Sequence, residues 1–220
     1  MPGVYRTTRD LPLVLPVFPL EGALLLPHGQ LPLNIFEPRY LNMFDDVMSG
    51  ERIIGMIQTR PGGSAEHPRL APIGCAGRVT SFAETGDGRY LVTLTGVCRF
   101  KLGEELPARA PYRQVRADFT AFEGDLHEAA TQSATSGEAS SLLAALRRYL
   151  DHRGLAIDWT SAETAPSDAL INSLAMALPF EPVEKQALLE APTLADRRET
   201  LVALLEIDAA GDDEEPTMLQ

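Results

Sequence analysis

Residues 31–50 read LPLNIFEPRYLNMFDDVMSG. Leu31, Leu33, Ile35 and Phe36 form the apolar run of a buried strand, bounded by Pro32 and Pro38. Pro38 sits where a helix can begin, because its missing N–H would have no intrahelical partner there. Leu41, Phe44 and Met48 then recur at three- and four-residue spacing, which predicts one apolar helix face. Gly50 supplies the stop. The unit is therefore strand, tight turn, short helix, with Glu37, Arg39 and Tyr40 at the joint. Polar groups at such a boundary act as caps or staples, so Glu37 and Arg39 read first as a charge pair that fixes the turn. The sharper alternative is that Phe36, Glu37, Arg39 and Tyr40 face a bound ligand.

On the N-terminal side of this unit, Leu13 to Leu20 reads as a first strand. Its prolines point to an edge strand or a bulge. Pro27-His28-Gly29 is a turn signal. On the C-terminal side, RIIGMIQ (52–58) is a compact apolar strand, and 59–70 (TRPGGSAEHPRL) is a mobile surface loop by composition. Residues 74–102 carry the clearest alternation. GCAGRVTSF leads into a hairpin turn at Asp87-Gly88, then YLVTLTGV, a break at Gly96, and a further strand over 97–102. Tyr112 to Phe122 alternates again. Many short strands with one small helix predict a curled, mostly antiparallel sheet or small barrel over residues 1–122.

Residues 123–137 are small and polar and read as a linker, with a little helix placed around Leu126 to Ala130. Beyond them the period changes to 3.6. One helix is expected from Ser140 or Ser141 to His152, with Leu142, Leu143, Leu146, Tyr149 and Leu150 as its stripe. A second runs from Ser167 to Leu178 and presents Leu170, Leu174, Ala177 and Leu178. A third starts at Pro182 and carries Val183, Ala187 and Leu188. A fourth is capped by Thr193 with Asp196 in the capping-box position and buries Leu194, Leu201, Leu204 and Leu205. Trp159 is expected in the loop between the first two, anchored in the core. Residues 138–207 thus form a helical bundle, and 208–220 an acidic, disordered tail. The fold class is α+β.

Composition limits the function. The 220 residues carry a net charge of −12, with the excess acid in the second half: 1–110 are neutral and 111–220 hold 8 basic against 20 acidic residues. An acidic surface repels phosphate backbones and anionic lipid, so neither nucleic acid nor membrane is an expected partner. No apolar run reaches eighteen residues, and the proline-broken N-terminus does not read as a secretory signal, so the expected location is the cytoplasm. Cys75 and Cys98 lie in strand-like stretches without CxxC spacing and read as buried free thiols rather than a disulfide or metal pair. The four histidines, His28, His67, His127 and His152, have no metal-ligand spacing. Phosphate-loop, nucleophile-elbow, HExxH and dinucleotide motifs are missing. No catalytic residue, metal or cofactor is expected.

Three segments also resemble a known family. PVFPLEGALLLPHGQLPLNIFEPRY, GCAGRVTSFAETGDGRYLVTLTGVCRFKL and EKQALLEAPTLADRRETLVALLE are similar to the N-terminal, substrate-binding domain of Lon protease. The resemblance implies a PUA-like β-barrel followed by a helical bundle. It also implies a role in engaging polypeptides, without the ATPase and Ser-Lys protease modules, as in a stand-alone LON-domain protein. The leading expectation is a non-catalytic module that binds a polypeptide or partner protein in a cleft between barrel and bundle, near the 31–40 box and the 59–70 loop. RNA binding and an unrecognised peptidase or hydrolase are the alternatives, and weak homo-oligomerisation is left open.

Overall fold

The structure is a computed structural model that describes residues 5–64, 67–107, 109–127 and 136–210, with side chains from residue 140 onward in the last segment. Strands β1 (Val14–Pro19) and β2 (Gln30–Ile35) precede helix α1 (Pro38–Met48). Strands β3 (Ile53–Ile57), β4 (Thr59–Gly63), β5 (Pro68–Leu70), β6 (Ile73–Glu84), β7 (Tyr90–Glu105) and β8 (Gln114–Asp118) follow. The main sheet has the order β2-β7-β6-β3-β1-β8, and β8 also pairs with β7. Five strands therefore close on themselves and β2 rides outside on β7. Every pair in this sheet is antiparallel except β1 with β3. The expected mostly antiparallel barrel is the one observed.

One strand closes the barrel because it is long. β7 spans sixteen residues, pairing its first half with β2 and its last residues with β8. No break occurs at Gly96. The strand instead runs through it, and the register with β6 shifts between Ala76 and Gly77. Glycine is needed there because a Cβ would lie 2.0 Å from the Leu26 carbonyl oxygen.

Two further expectations are corrected. β1 lies between β3 and β8 and is not an edge. It tolerates Pro16 because partners change at that point: Val14 to Pro16 pair with β8, and Val17 to Pro19 with β3. The 59–70 segment is a two-stranded hairpin, β4 with β5, which sets Arg60 opposite Arg69. Cross-strand pairing outweighed its proline- and glycine-rich composition.

The barrel interior is filled by residues such as Leu15, Val17, Ala76, Phe100 and Val115. The outer sheet face carries Ile54, Met56 and Leu94 into a larger core shared with α1 and the C-terminal helices. On α1 the bounds are as expected but the buried face is not. Tyr40, Met43, Phe44 and Val47 are buried, while Leu41 and Met48 sit at its margin. Tyr40 extends the stripe through its ring, which packs 4.3 Å from that of Phe18, so the face is centred one residue away from the aliphatic pattern. Phe36 points out and is 60% exposed.

A 3-10 turn (Thr120–Leu126) leads from the barrel toward α2 (Ser136–Arg153). Part of the expected linker is thus ordered helical turn; of the little helix placed around Leu126 to Ala130, Leu126 ends that turn and residues 128–130 lie outside the described residues. α2 begins before Ser140 and ends at Gly154, whose φ of 62° allows Leu155 N–H to reach back to Leu150 O. Trp159 is not in a loop. It opens the short helix α3 (Trp159–Thr164), capped by Asp158, and lies half-buried beneath Arg147. Helices α4 (Ser167–Ala177), α5 (Pro182–Glu190) and α6 (Leu194–Ala210) complete the chain. Thr193 and Asp196 exchange the expected capping bonds. α6 reaches Ala210, so residues 208–210 of the expected tail are helical; residues 211–220 lie outside the described residues. Val183 and Ala187 are exposed rather than inward, because α5 turns Lys185 and Gln186 toward the barrel instead.

Barrel and bundle are joined by buried polar groups. Arg99, on β7, pairs with Asp125 through Nε at 2.9 Å and Nη2 at 2.9 Å. Its Nη1 donates to Leu189 O and Ala191 O at the end of α5. Gln58 donates to Pro182 O, Gln186 to Ile73 O, and Lys185 to Gly22 O. Asn172 reaches Pro27 O and accepts from Arg197, whose Nε donates to Leu188 O. Burial and the nearby charge of Arg99 lower the Arg197 pKa to about 10, which still leaves it charged at neutral pH.

Candidate binding groove

The four residues of the joint divide between two surfaces. Glu37 precedes α1 at its N-cap but makes no side-chain cap bond. It accepts from Arg39 Nε at 3.0 Å and Nη2 at 2.8 Å, with both side chains 45% exposed. The stapling pair is therefore present. Arg39 also lies over the Tyr40 ring, 4.7 Å from its centroid. Arg39 and Tyr40 line a groove of about 240 Å³. Phe36 instead faces the β6–β7 turn, beside Leu41, Asp87 and Gly88.

Other walls of the groove come from β4–β5 and from the β7–β8 connection. Four prolines line it: Pro19, Pro68, Pro107 and Pro111. Tyr112 and Arg113 stand at one side. Every lining residue belongs to the sheet half, so this groove does not lie between barrel and bundle as expected. That junction is filled by the arginine, glutamine and lysine bonds described above. The signal that sequence reasoning passed over is Pro107 and Pro111, which lie between β7 and β8 and line the groove beside Tyr112 and Arg113.

Polar groups of the groove are already committed. Arg113 donates Nε and Nη2 to the two oxygens of Glu105, each at 2.7 Å, and Nη1 to Pro68 O at 2.7 Å. That bidentate pairing holds the Glu105 carboxyl below the ordinary range. His67, expected in a solvated loop, is 61% exposed and lies 3.4 Å from Glu105. Tyr112 donates to Asp46 at 2.7 Å; burial first, and then this carboxylate, raise its pKa to about 12. Tyr40 is also raised, by burial.

A base locked by a bidentate arginine and phenols pushed upward are poor proton carriers near neutrality. Both thiols are buried. Cys75 faces the outer core and Cys98 the barrel interior, so the strand pleat keeps them apart. Burial raises both, Cys98 to about 12, so neither is a nucleophile. Among the described residues no group of three or more metal-ligating side chains comes together, and no helix is long and apolar enough to cross a membrane. The groove volume is below the roughly 300–1,000 Å³ of small-molecule pockets; it suits one or two side chains of a longer ligand.

Comparison with known proteins gives a consistent result. Residues 14–206 match the family described as the ATP-dependent protease La (LON) substrate-binding domain. The chain is 30% identical over 120 residues to Lon protease of Anaeromyxobacter dehalogenans, covering 53% of this chain and 14% of that protein. It is 25% identical over 201 residues to Lon protease of Roseiflexus castenholzii, covering 90% and 24%. The chain thus spans about a quarter or less of the relatives it matches. Its fold is that of a Lon N-terminal domain protein from Xanthomonas campestris, with a TM-score of 0.63 at 20% identity over 86% of this chain and 97% of that one. The N-terminal domain of a Mycobacterium avium complex Lon protease gives 0.61 at 15% identity over 90% and 98%.

Proposed function

Because the chain belongs to the LON substrate-binding domain family, we propose that it is a non-catalytic module that holds polypeptide segments. The carrying observation is the groove lined by Pro107, Pro111, Tyr112 and Arg113 together with Arg39 and Tyr40. Its walls are prolines and tyrosines, its charged groups are already paired, and its size admits side chains rather than a cofactor. Such a surface takes an extended, unfolded chain with little ordering cost, since its own rotamers are held by Asp46, Glu105 and Pro68 O. Phe36 stands apart from this groove and Glu37 supports it through Arg39, so Arg39 and Tyr40 are the joint residues that touch the ligand. Nucleic acid is not the partner, given the acidic charge.

The test is fluorescence anisotropy with labelled α-lactalbumin that has been reduced and carboxymethylated and cannot refold. Saturable binding is expected at about tens of micromolar, the weak range of transient encounters, and Tyr112→Ala weakens it. Fragment release from the same protein, or tighter binding to structured RNA than to the unfolded chain, would contradict the reading.

A further inference from the structure

Among the described residues no strand pairs with the outer edge of β2. Gly96 N–H donates to Gly29 O. In an antiparallel ladder this fixes the alternation that follows. Leu31, Leu33 and Ile35 exchange bonds with Leu94, Val92 and Tyr90, their register partners. Gln30, Pro32 and Asn34 turn their backbone groups away from β7. All three are exposed, and β2 stands last in the sheet order. No hydrogen bond from another described residue reaches these outward groups.

Natural edges are guarded by charge, bulges or proline. Residues 29–36 contain no ionisable side chain. The neighbouring charges cancel in two local pairs, Glu37 with Arg39 and Asp87 with Arg89. Pro32 is the one guard, and its position matters. Its missing N–H points outward, so the ladder to β7 is intact. A second copy pairing about a two-fold axis at Pro32 would set two proline carbonyls against each other with no donor between them. A foreign strand can place an N–H there and meet two N–H donors and three carbonyl acceptors in all. Phe36, 60% exposed, follows at the strand end, and Leu91 on β7, one strand in from the edge behind Asn34, is 49% exposed. They offer an apolar strip to alternate side chains of an added strand.

We propose that the free edge of β2 takes an uncharged, extended segment of the bound polypeptide as an additional strand, with Gln30, Pro32 and Asn34 supplying the backbone bonds. This rests on the polypeptide-binding reading and names the kind of segment it selects: about five residues, uncharged, with apolar side chains at alternate positions.

The test again uses carboxymethylated α-lactalbumin and the full chain. Asn34→Pro removes one outward donor without touching the ladder and is expected to weaken binding about tenfold. Asn34→Ala keeps the donor and stays within about twofold. In the unaltered protein, saturation with the probe slows amide exchange at Gln30 and Asn34 at least about tenfold, a readout that does not depend on any variant folding. Binding that Asn34→Pro leaves unchanged and Tyr112→Ala weakens overturns the edge proposal and leaves the groove standing. Protection of the same two amides by dimerisation without probe assigns the edge to a second copy and also overturns it. No binding at all overturns both.

Discussion

Two ion pairs in this molecule use the same chemistry and do different work. Arg39 and Glu37 lie at the surface, 45% exposed on each side. Arg99 and Asp125 are only 6% and 11% exposed, and the same guanidinium satisfies the carbonyls that end α5. An exposed pair gains little because water screens it and two side chains must be ordered. A buried pair commits the fold. Breaking it leaves a charge without water, although an apolar replacement of the whole pair can be harmless. The conspicuous charge pair at the joint therefore carries little stability, and an arginine in the middle of a strand carries much.

The sharpest way to break this contrast is Arg99→Ala. It strands Asp125 and the carbonyls of Leu189, Ala191 and Pro192, and should cost about 3–5 kcal/mol in urea unfolding. Replacing both partners, Arg99→Met with Asp125→Leu, should recover part of that loss; equal damage from both variants would show that the carbonyl bonds, not the carboxylate, dominate. Gly96→Ala tests the same junction through the backbone. Its Cβ would meet Leu26 O at 2.0 Å, and about 2–3 kcal/mol is expected. Gly86→Ala, where no atom lies within 4 Å, should be nearly silent.

Alkaline pH offers a third comparison. Burial raises Cys98 from 9.0 to about 12, so the native state holds its proton while the unfolded chain releases it. That contribution is complete below pH 9.0 and is lost as pH climbs toward 12. The Cys98 share of the loss should reach about 2 kcal/mol at roughly pH 10.5, beside that of Cys75, which burial also raises, and Cys98→Ala should remove only its own share of the slope after its cavity cost is subtracted. Arg39→Ala should likewise change stability little, by about 0.5 kcal/mol or less, while still weakening polypeptide binding.

Much of this architecture is legible in the sequence. Pro38 and Gly50 mark α1 correctly, Asp87-Gly88 marks the hairpin, and the switch in period separates barrel from bundle. These are local signals, each set by backbone geometry over a few residues. What was not legible depends on distant partners. The burial of Tyr40 needs Phe18 across the core. The tolerance of β1 for Pro16 needs a change of strand partner. Arg99 gives no periodic signal at all, since its partners lie 26 or more residues away. The groove is legible only in part: Arg39 and Tyr40 stand in the box, but Tyr112 and Arg113 reach them through barrel closure.

If the proposed function holds, the sheet half contacts the ligand and the helices brace it. Backbone chemical-shift mapping of the labelled protein with carboxymethylated α-lactalbumin tests this directly. Shifts are expected at residues 30–36, 39–40 and 105–114, with the α2 and α6 core around Leu146 and Leu201 unmoved. Shifts confined to the helices, with the groove and the β2 edge silent, would contradict it.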